Sequence, residues 1–329
     1  MSEDILKVSN LFVNYKTRQG DVKAVNNLSL TLEKGDKFGL VGESGSGKTT
    51  LANAILRMIK PPGYIPSGDI VLDGTDVLNL SESDLRKFRS TSVSIVPQAA
   101  MNALNPVRRV GQQMNDAFRD HGVKLSKSDL NYRLGELMET VGLRSDVPNL
   151  FPHELSGGMK QRVSIAMAVS LNPKLIIADE PTSALDVVVQ RQVIDTLDQV
   201  KEKYGSTILL VGHDMGLMAQ FSNRLGIMYA GELVEVGSSD KIFSKPNHPY
   251  TEILISSLPD TKTKRKLIGI PGLPPTLLDP PTGCKFHPRC PKVFDPCSDL
   301  IPDKEIIDNK SFFSCSLKSC LSLSEYPNS

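Results

Sequence analysis

Short, almost wholly apolar runs punctuate the first 240 residues of this 329-residue chain. Phe38-Gly39-Leu40-Val41, Val93-Ser94-Ile95-Val96, Leu175-Ile176-Ile177-Ala178 and Ile208-Leu209-Leu210-Val211 lack the polar alternation of a half-exposed strand. Runs of this kind predict strands covered on both faces. Between them apolar residues recur three and four apart, as in Leu51, Ala54, Ile55 and Met58, which predicts amphipathic helices. Strand and helix in alternation predict an α/β fold with a largely parallel central sheet.

Two stretches break the alternation. From about Asn102 to Leu150 the chain is polar and helix-prone, with Leu130, Leu134, Leu137, Met138 and Val141 at helical spacing. It reads as a helical insertion between two halves of the sheet domain. Beyond Lys241, Pro271, Pro274, Pro275, Pro280 and Pro281 crowd together, and four of the five cysteines follow by Cys315. Proline fixes φ and donates no N–H, so this segment is expected to form little helix or ladder and to need a staple. The expected organisation is a domain over 1–240, with the insertion at 99–158, and an extension over 241–329.

Bulk properties add exclusions. Hydrophobic residues at 40% and charged residues at 23% are those of an ordinary globular protein. A net charge of +1 gives no reason to expect nucleic acid or an anionic membrane as the main partner. The acidic start, MSEDILKVSN, lacks a secretory signal, and no apolar run is long enough to cross a bilayer. A cytosolic setting follows, in which cysteines are more often ligands, catalysts or bystanders than disulfides.

The first chemical motif is Gly42-Glu43-Ser44-Gly45-Ser46-Gly47-Lys48-Thr49, which fits G-x-x-x-x-G-K-[ST] between an apolar strand and an amphipathic helix. Without its flanks this would be an ordinary Gly/Ser turn. With them, backbone N–H groups can curl around phosphate oxygens, and the helix adds its positive end. Gly42, Ser44, Gly45, Ser46, Gly47, Lys48, Thr49 and Thr50 form the candidate ATP-binding loop. Lys48 is expected at the β- and γ-phosphates and Thr49 on Mg²⁺.

A second candidate anion site begins at Leu155-Ser156-Gly157-Gly158-Met159-Lys160-Gln161-Arg162, where Ser156 can cap a helix and two glycines precede the apolar run. One chain has no obvious use for two phosphate sites on separate helices. Two chains facing head-to-tail do, since each closes its second site on the other's γ-phosphate.

Here the sequence resembles the ABC ATPase family, whose signature is LSGGQ-like; this chain reads LSGGM. The resemblance covers about residues 5 to 260. It implies a P-loop NTPase fold with a mainly parallel core sheet, an N-terminal antiparallel β part, a helical insertion and a loop-rich C-terminal extension. Leu175 to Glu180 resembles the family's Walker B strand: Asp179 is implied to hold Mg²⁺ and Glu180 to act as general base. By itself a strand-end Asp-Glu pair is usually a solvated turn, and its place after the signature sets it apart. His213 matches the switch histidine at the γ-phosphate. Gln98 matches the Q-loop glutamine that senses the metal, and Tyr15 an aromatic that stacks on adenine, where an edge-strand tyrosine is the plain alternative. Ser183-Ala184-Leu185-Asp186 looks like the D-loop, and Ser156, Gly157 and Gly158 would act in trans.

Three stretches resemble the oligopeptide/dipeptide permease branch: Glu154–Arg162, Ile177–Val187 and Met228-Tyr229-Ala230-Gly231. Ala103-Leu104-Asn105-Pro106 fits as well, as do His248-Pro249-Tyr250-Thr251, Ile270-Pro271-Gly272 and Gly283–Cys290. Cys284, Cys290, Cys297 and Cys315 are spaced C-x5-C-x6-C-x17-C. Relatives with this pattern carry a [4Fe–4S] cluster, while Zn²⁺ would use the same four ligands. Cys320 lies outside the pattern and reads as a free thiol.

The resemblance implies an ATP hydrolase coupled to transport, an importer of di- or oligopeptides, with oligosaccharides or nickel as alternatives. Implied partners are a second, related ATPase in a heterodimer, two transmembrane permease subunits and an extracytoplasmic solute-binding protein, with no nucleic acid. The implied location is peripheral, on the cytoplasmic face of the membrane. A soluble ABC ATPase acting on DNA or ribosomes is the competing class, but this chain shows neither long coiled coils nor paired ATPase units.

Overall fold

The computed structural model describes residues 3–98, 103–258, 269–308 and 310–316. The chain forms two compact units. One comprises 1–6, 32–37 and 71–211, and the other 7–31, 38–70 and 212–329. The strands among the described residues are, in chain order, β1 (Asp4–Thr17), β2 (Gly20–Glu33), β3 (Lys37–Val41), β4 (Gly63–Leu72), β5 (Thr75–Asp76), β6 (Val93–Val96), β7 (Leu175–Asp179), β8 (Thr207–Gly212), β9 (Arg224–Tyr229), β10 (Glu232–Ser238), β11 (Glu305–Asp308) and β12 (Ser311–Phe313).

In the first unit β6, β7 and β8 run parallel. Val93 is paired with Leu175, and Asp179 with Val211. All five residues of β7 and all six of β8 are buried, which explains why these runs show no polar alternation. The helix Gly157–Val169 follows the candidate signature, and Val187–Tyr204 follows the candidate D-loop.

The insertion is helical, as its spacing predicts, with helices Val110–Asp120 and Lys127–Thr140. Met114 and Phe118 from the first helix and Leu134, Leu137 and Met138 from the second are buried. Ser126 caps the second helix by accepting from the Asp129 N–H at 3.2 Å. Asn102, where the polar stretch was expected to start, lies outside the described residues.

In the second unit β3 pairs parallel with β9, Val41 against Ile227. β9 turns back into antiparallel β10 through Ala230 and Gly231, both at positive φ as a two-residue hairpin of this kind demands. The helix after β3 spans Lys48–Ile55, so Met58 of the predicted apolar face falls past its end and is exposed.

The extension makes more ladder than its prolines suggest. β12 adds antiparallel to β10, with Val236 against Phe312, and β11 pairs with β12. Among the described residues 269–303 is mostly loop and turn, where prolines are dense, while 303–316 holds none and leaves its N–H groups able to pair. The extension also has an apolar anchor of its own. Phe286, 1% exposed, meets Tyr229 edge-on at 5.2 Å and Tyr250 at 5.3 Å, while Tyr229 and Tyr250 lie 4.7 Å apart.

The turn into this cluster is set by Glu235, whose buried carboxylate accepts from the Asn247 N–H at 2.8 Å and the His248 N–H at 3.1 Å. It also accepts from the Asn247 side-chain amide at 3.1 Å. Replacing Glu235 with alanine strips buried donors of their acceptor. The expected loss is about 3 kcal/mol, measured as a lower urea midpoint; an unchanged midpoint contradicts this assignment.

Candidate functional site

β3 delivers the chain into the glycine-rich loop. Gly42 and Gly47 at its ends are dictated by packing. A Cβ on Gly42 would lie 2.1 Å from the Met228 carbonyl oxygen, and one on Gly47 2.1 Å from that of Ala24. Gly47 also has φ +102°, a region that other residues rarely adopt. The loop is tied to the β9–β10 hairpin by the Gly231 N–H, which donates to the Ser46 carbonyl at 2.9 Å.

Lys48 is buried and folds back across the loop. Its ammonium donates to the carbonyls of Gly42 and Glu43, each at 2.8 Å, and lies 3.4 Å from Ser46 Oγ. The helix it opens has no acidic residue in its first turn and no side-chain cap. Helix geometry gives first-turn N–H groups no acceptor inside the helix, so this end suits an anion. Ser44, Gly45 and Thr49 are exposed on the loop, and Thr50 is half-buried.

In the first unit, β7 ends in buried Asp179, and the next residue leaves the sheet abruptly. Glu180 adopts φ +43° while its N–H donates to the Val211 carbonyl at 2.8 Å. A non-glycine residue in this conformation is strained, which is common where a side chain must be aimed. Gln98, two residues past β6, donates from Nε2 to Glu180 Oε2 at 2.9 Å. The Ser183 hydroxyl donates to the Gln98 carbonyl at 3.2 Å. Gln98, Glu180 and the start of the candidate D-loop thus form one hydrogen-bonded group.

Asp186 caps the helix Val187–Tyr204 by accepting from the Val189 N–H at 2.9 Å. Just beyond it Val187 and Val188, the first residues of that helix, are 80% and 68% exposed. Ser156 caps the signature helix, accepting from the Met159 N–H at 3.3 Å, and is itself exposed. Gly158 is buried, and a Cβ there would lie 2.6 Å from Val189 Cγ1. Its lack of a side chain therefore serves helix packing, and the exposed tip consists of Ser156 and the half-buried Gly157.

His213 is exposed after β8, and the next residue, Asp214, caps the helix Met215–Phe221. Tyr15 lies half-buried on β1 with its ring against Gly63, where a Cβ would come within 2.6 Å of Cε1. Of the cysteines, Cys297 and Cys315 are buried and Cys284 and Cys290 partly so. Burial pushes the Cys284 thiol up to about 12, and the charges of Cys315, Cys297 and Cys290 add to the rise. Burial likewise raises Cys290. The Cys284 N–H donates to the Cys297 carbonyl at 2.9 Å, which brings those two segments together. No three His, Cys, Asp or Glu side chains among the described residues converge on a single-ion site. Cys320 lies outside the described residues.

Sequence reasoning passed over three residues that the structure gathers on the phosphate loop: Glu43, Tyr250 and Arg289. The Glu43 N–H donates to the Tyr250 hydroxyl at 2.9 Å, and its carboxylate binds Arg289. The pairing spans 246 positions, and no local pattern signals it.

Comparisons with known proteins give the family. The ABC transporter family matches residues 25–183, and the C-terminal region of oligopeptide/dipeptide transporters matches 234–297. The chain is 42% identical over 290 residues to the oligopeptide transport ATP-binding protein OppD of Bacillus subtilis, covering 87% of this chain and 81% of that one. It is 40% identical over 315 residues to the dipeptide transport ATP-binding protein DppD of Caldanaerobacter subterraneus, covering 95% and 97%. Among solved structures, a dimeric ATP-binding cassette in a post-hydrolysis state bound to ADP and Pi matches with a TM-score of 0.64 and 28% identity. That match covers 71% of this chain and 98% of the other. The fold is that of an ABC ATPase, for which ATP and Mg²⁺ are the expected ligands and ATP hydrolysis coupled to transport the expected reaction. The chain belongs to the ABC transporter ATP-binding proteins, in the oligopeptide/dipeptide branch.

Proposed function

We propose that this chain powers uptake of di- or oligopeptides as one of two ATPases beneath a pair of membrane permeases. Its partner ATPase is a related chain, and an extracytoplasmic binding protein delivers the solute. Peptide is favoured over oligosaccharide or nickel by the names of the relatives and by the match of the C-terminal region. No helix among the described residues is long and apolar enough to cross a membrane, in keeping with a peripheral subunit on the cytoplasmic face.

The observation that carries the two-chain mechanism is the signature tip. Ser156 stands exposed at the start of a helix with no acid in its first turn, and that helix packs through Gly158 against Val189, next to exposed Val187 and Val188. An exposed anion-attracting helix end beside an apolar pair suits a protein partner bearing a phosphate. In this reading Gly42–Thr50 holds the triphosphate, Lys48 moves from its carbonyl contacts to the β- and γ-oxygens, and Tyr15 stacks on adenine. Thr49, Gln98 and Asp179 would hold Mg²⁺, which when bound neutralises charge on the β- and γ-phosphates. Glu180 takes the proton of the attacking water, and the 2.9 Å bond from Gln98 aims its carboxylate. His213 contacts the γ-phosphate, while Ser156, Gly157, Gly158 and Asp186 act across the dimer. Loss of the γ-phosphate removes the bridge between chains, and this differential binding drives opening.

The four cysteines are read as ligands of a [4Fe–4S] cluster, with zinc the alternative. Burial raises the Cys284 and Cys290 thiols, and a bound metal group would offset that cost to their thiolates. The resemblance of the cysteine pattern favours the cluster, and the bonds of either group would add folding free energy to the extension.

Two outcomes test these assignments. Glu180→Gln should keep ATP binding and lower steady-state phosphate release in the reconstituted complex by about 100-fold or more; turnover at the parent rate removes Glu180 as base. Anaerobically purified protein should be brown with about four irons per chain and lose both features with Cys290→Ser. A colourless preparation containing zinc decides for the alternative.

A further inference from the structure

Glu43 is the only acidic residue in Gly42–Thr50. A carboxylate inside a loop that holds a polyphosphate works against the ligand through simple repulsion. The structure offsets it from the far end of the chain. Arg289 grips both carboxylate oxygens, Nη1 to Oε2 at 2.6 Å and Nη2 to Oε1 at 3.0 Å. The Arg289 side chain is 6% exposed and that of Glu43 23%, so solvent screens this pair far less than a surface ion pair.

The guanidinium is itself fixed in place. Its Nε donates to the Pro271 carbonyl at 2.7 Å, and its Nη groups reach the Gly272 carbonyl at 3.4 Å and the Tyr229 hydroxyl at 3.2 Å. Tyr250 meanwhile holds the Glu43 main chain through its N–H, and Lys48 binds the Glu43 carbonyl. Side chain, N–H and carbonyl of this one loop residue are each engaged, two of them by residues beyond 240.

We propose that Arg289 is a positioning residue for nucleotide binding, neutralising Glu43 and fixing its carboxylate so that the loop accepts the phosphates. The C-terminal extension then acts in cis on the affinity for ATP. The inference rests on the reading of Gly42–Thr50 as the nucleotide loop.

The test is calorimetric titration of the full-length chain with Mg²⁺ and the non-hydrolysable analogue AMP-PNP at low ionic strength. Arg289→Ala should weaken binding on the order of tenfold, and adding Glu43→Gln should bring it back to within about threefold of the parent. Glu43→Gln alone keeps an acceptor oxygen for Arg289, removes the repulsive charge, and should bind as tightly as the parent or a few-fold tighter. Parent-like affinity in Arg289→Ala overturns the proposal, as does a loss that Glu43→Gln fails to rescue. Should Arg289→Ala not fold, the single Glu43→Gln variant decides, since weaker binding there has the wrong sign. Lys48→Ala separates the two readings: it should abolish binding, and undiminished binding would count against the loop itself.

Discussion

Two backbone carbonyls, those of Met228 and Ala24, stand where a side chain on Gly42 or Gly47 would have to go. This steric constraint governs the phosphate loop and, through it, the chemistry of the chain. With no Cβ at either end the loop can lie flat against its neighbours, and the Gly231 N–H can tie it down at Ser46. Only in that seated conformation do the carbonyls of Gly42 and Glu43 point at one spot and hold the Lys48 ammonium between them. The cation is thus fixed where the loop opens, and the helix starting there adds its own positive end.

Strain and packing recur where the chemistry is assigned. Glu180 adopts a conformation that costs free energy, of order 1–3 kcal/mol for such residues. It persists because the Val211 carbonyl holds its N–H and Gln98 its carboxylate. The fully buried strand β7 supplies the rigid support from which that turn departs. Gly158 shows a different demand, a motif glycine whose lack of a side chain also lets its helix pack on Val189. The same letters in a motif can thus be needed for different reasons.

The extension does more than carry the cysteines. Its Phe286 completes an aromatic cluster with Tyr229 and Tyr250, and Glu235 fixes the turn that brings Tyr250 in. That cluster places Tyr250 and Arg289 at Glu43, whose carbonyl Lys48 binds. The cysteines lie within the same stretch of chain, so whatever orders them also orders the residues that hold the loop.

The amino-acid sequence carried enough to read the parallel strands, the helical insertion, the phosphate loop, the signature helix cap and the strand-end carboxylates. Each is a local pattern: an apolar run, a spacing of three and four, a cap, or a glycine string, and local sterics and burial periodicity suffice to set it. It did not reveal that β11 and β12 lengthen a sheet edge, nor that Gly158 is a packing residue. It gave no sign that Glu43 is paired, because a tyrosine and an arginine more than 200 positions away answer it. Those facts depend on which surfaces meet once the chain is folded. Complementarity across long sequence separations has no local signature, so only the tertiary structure could decide them.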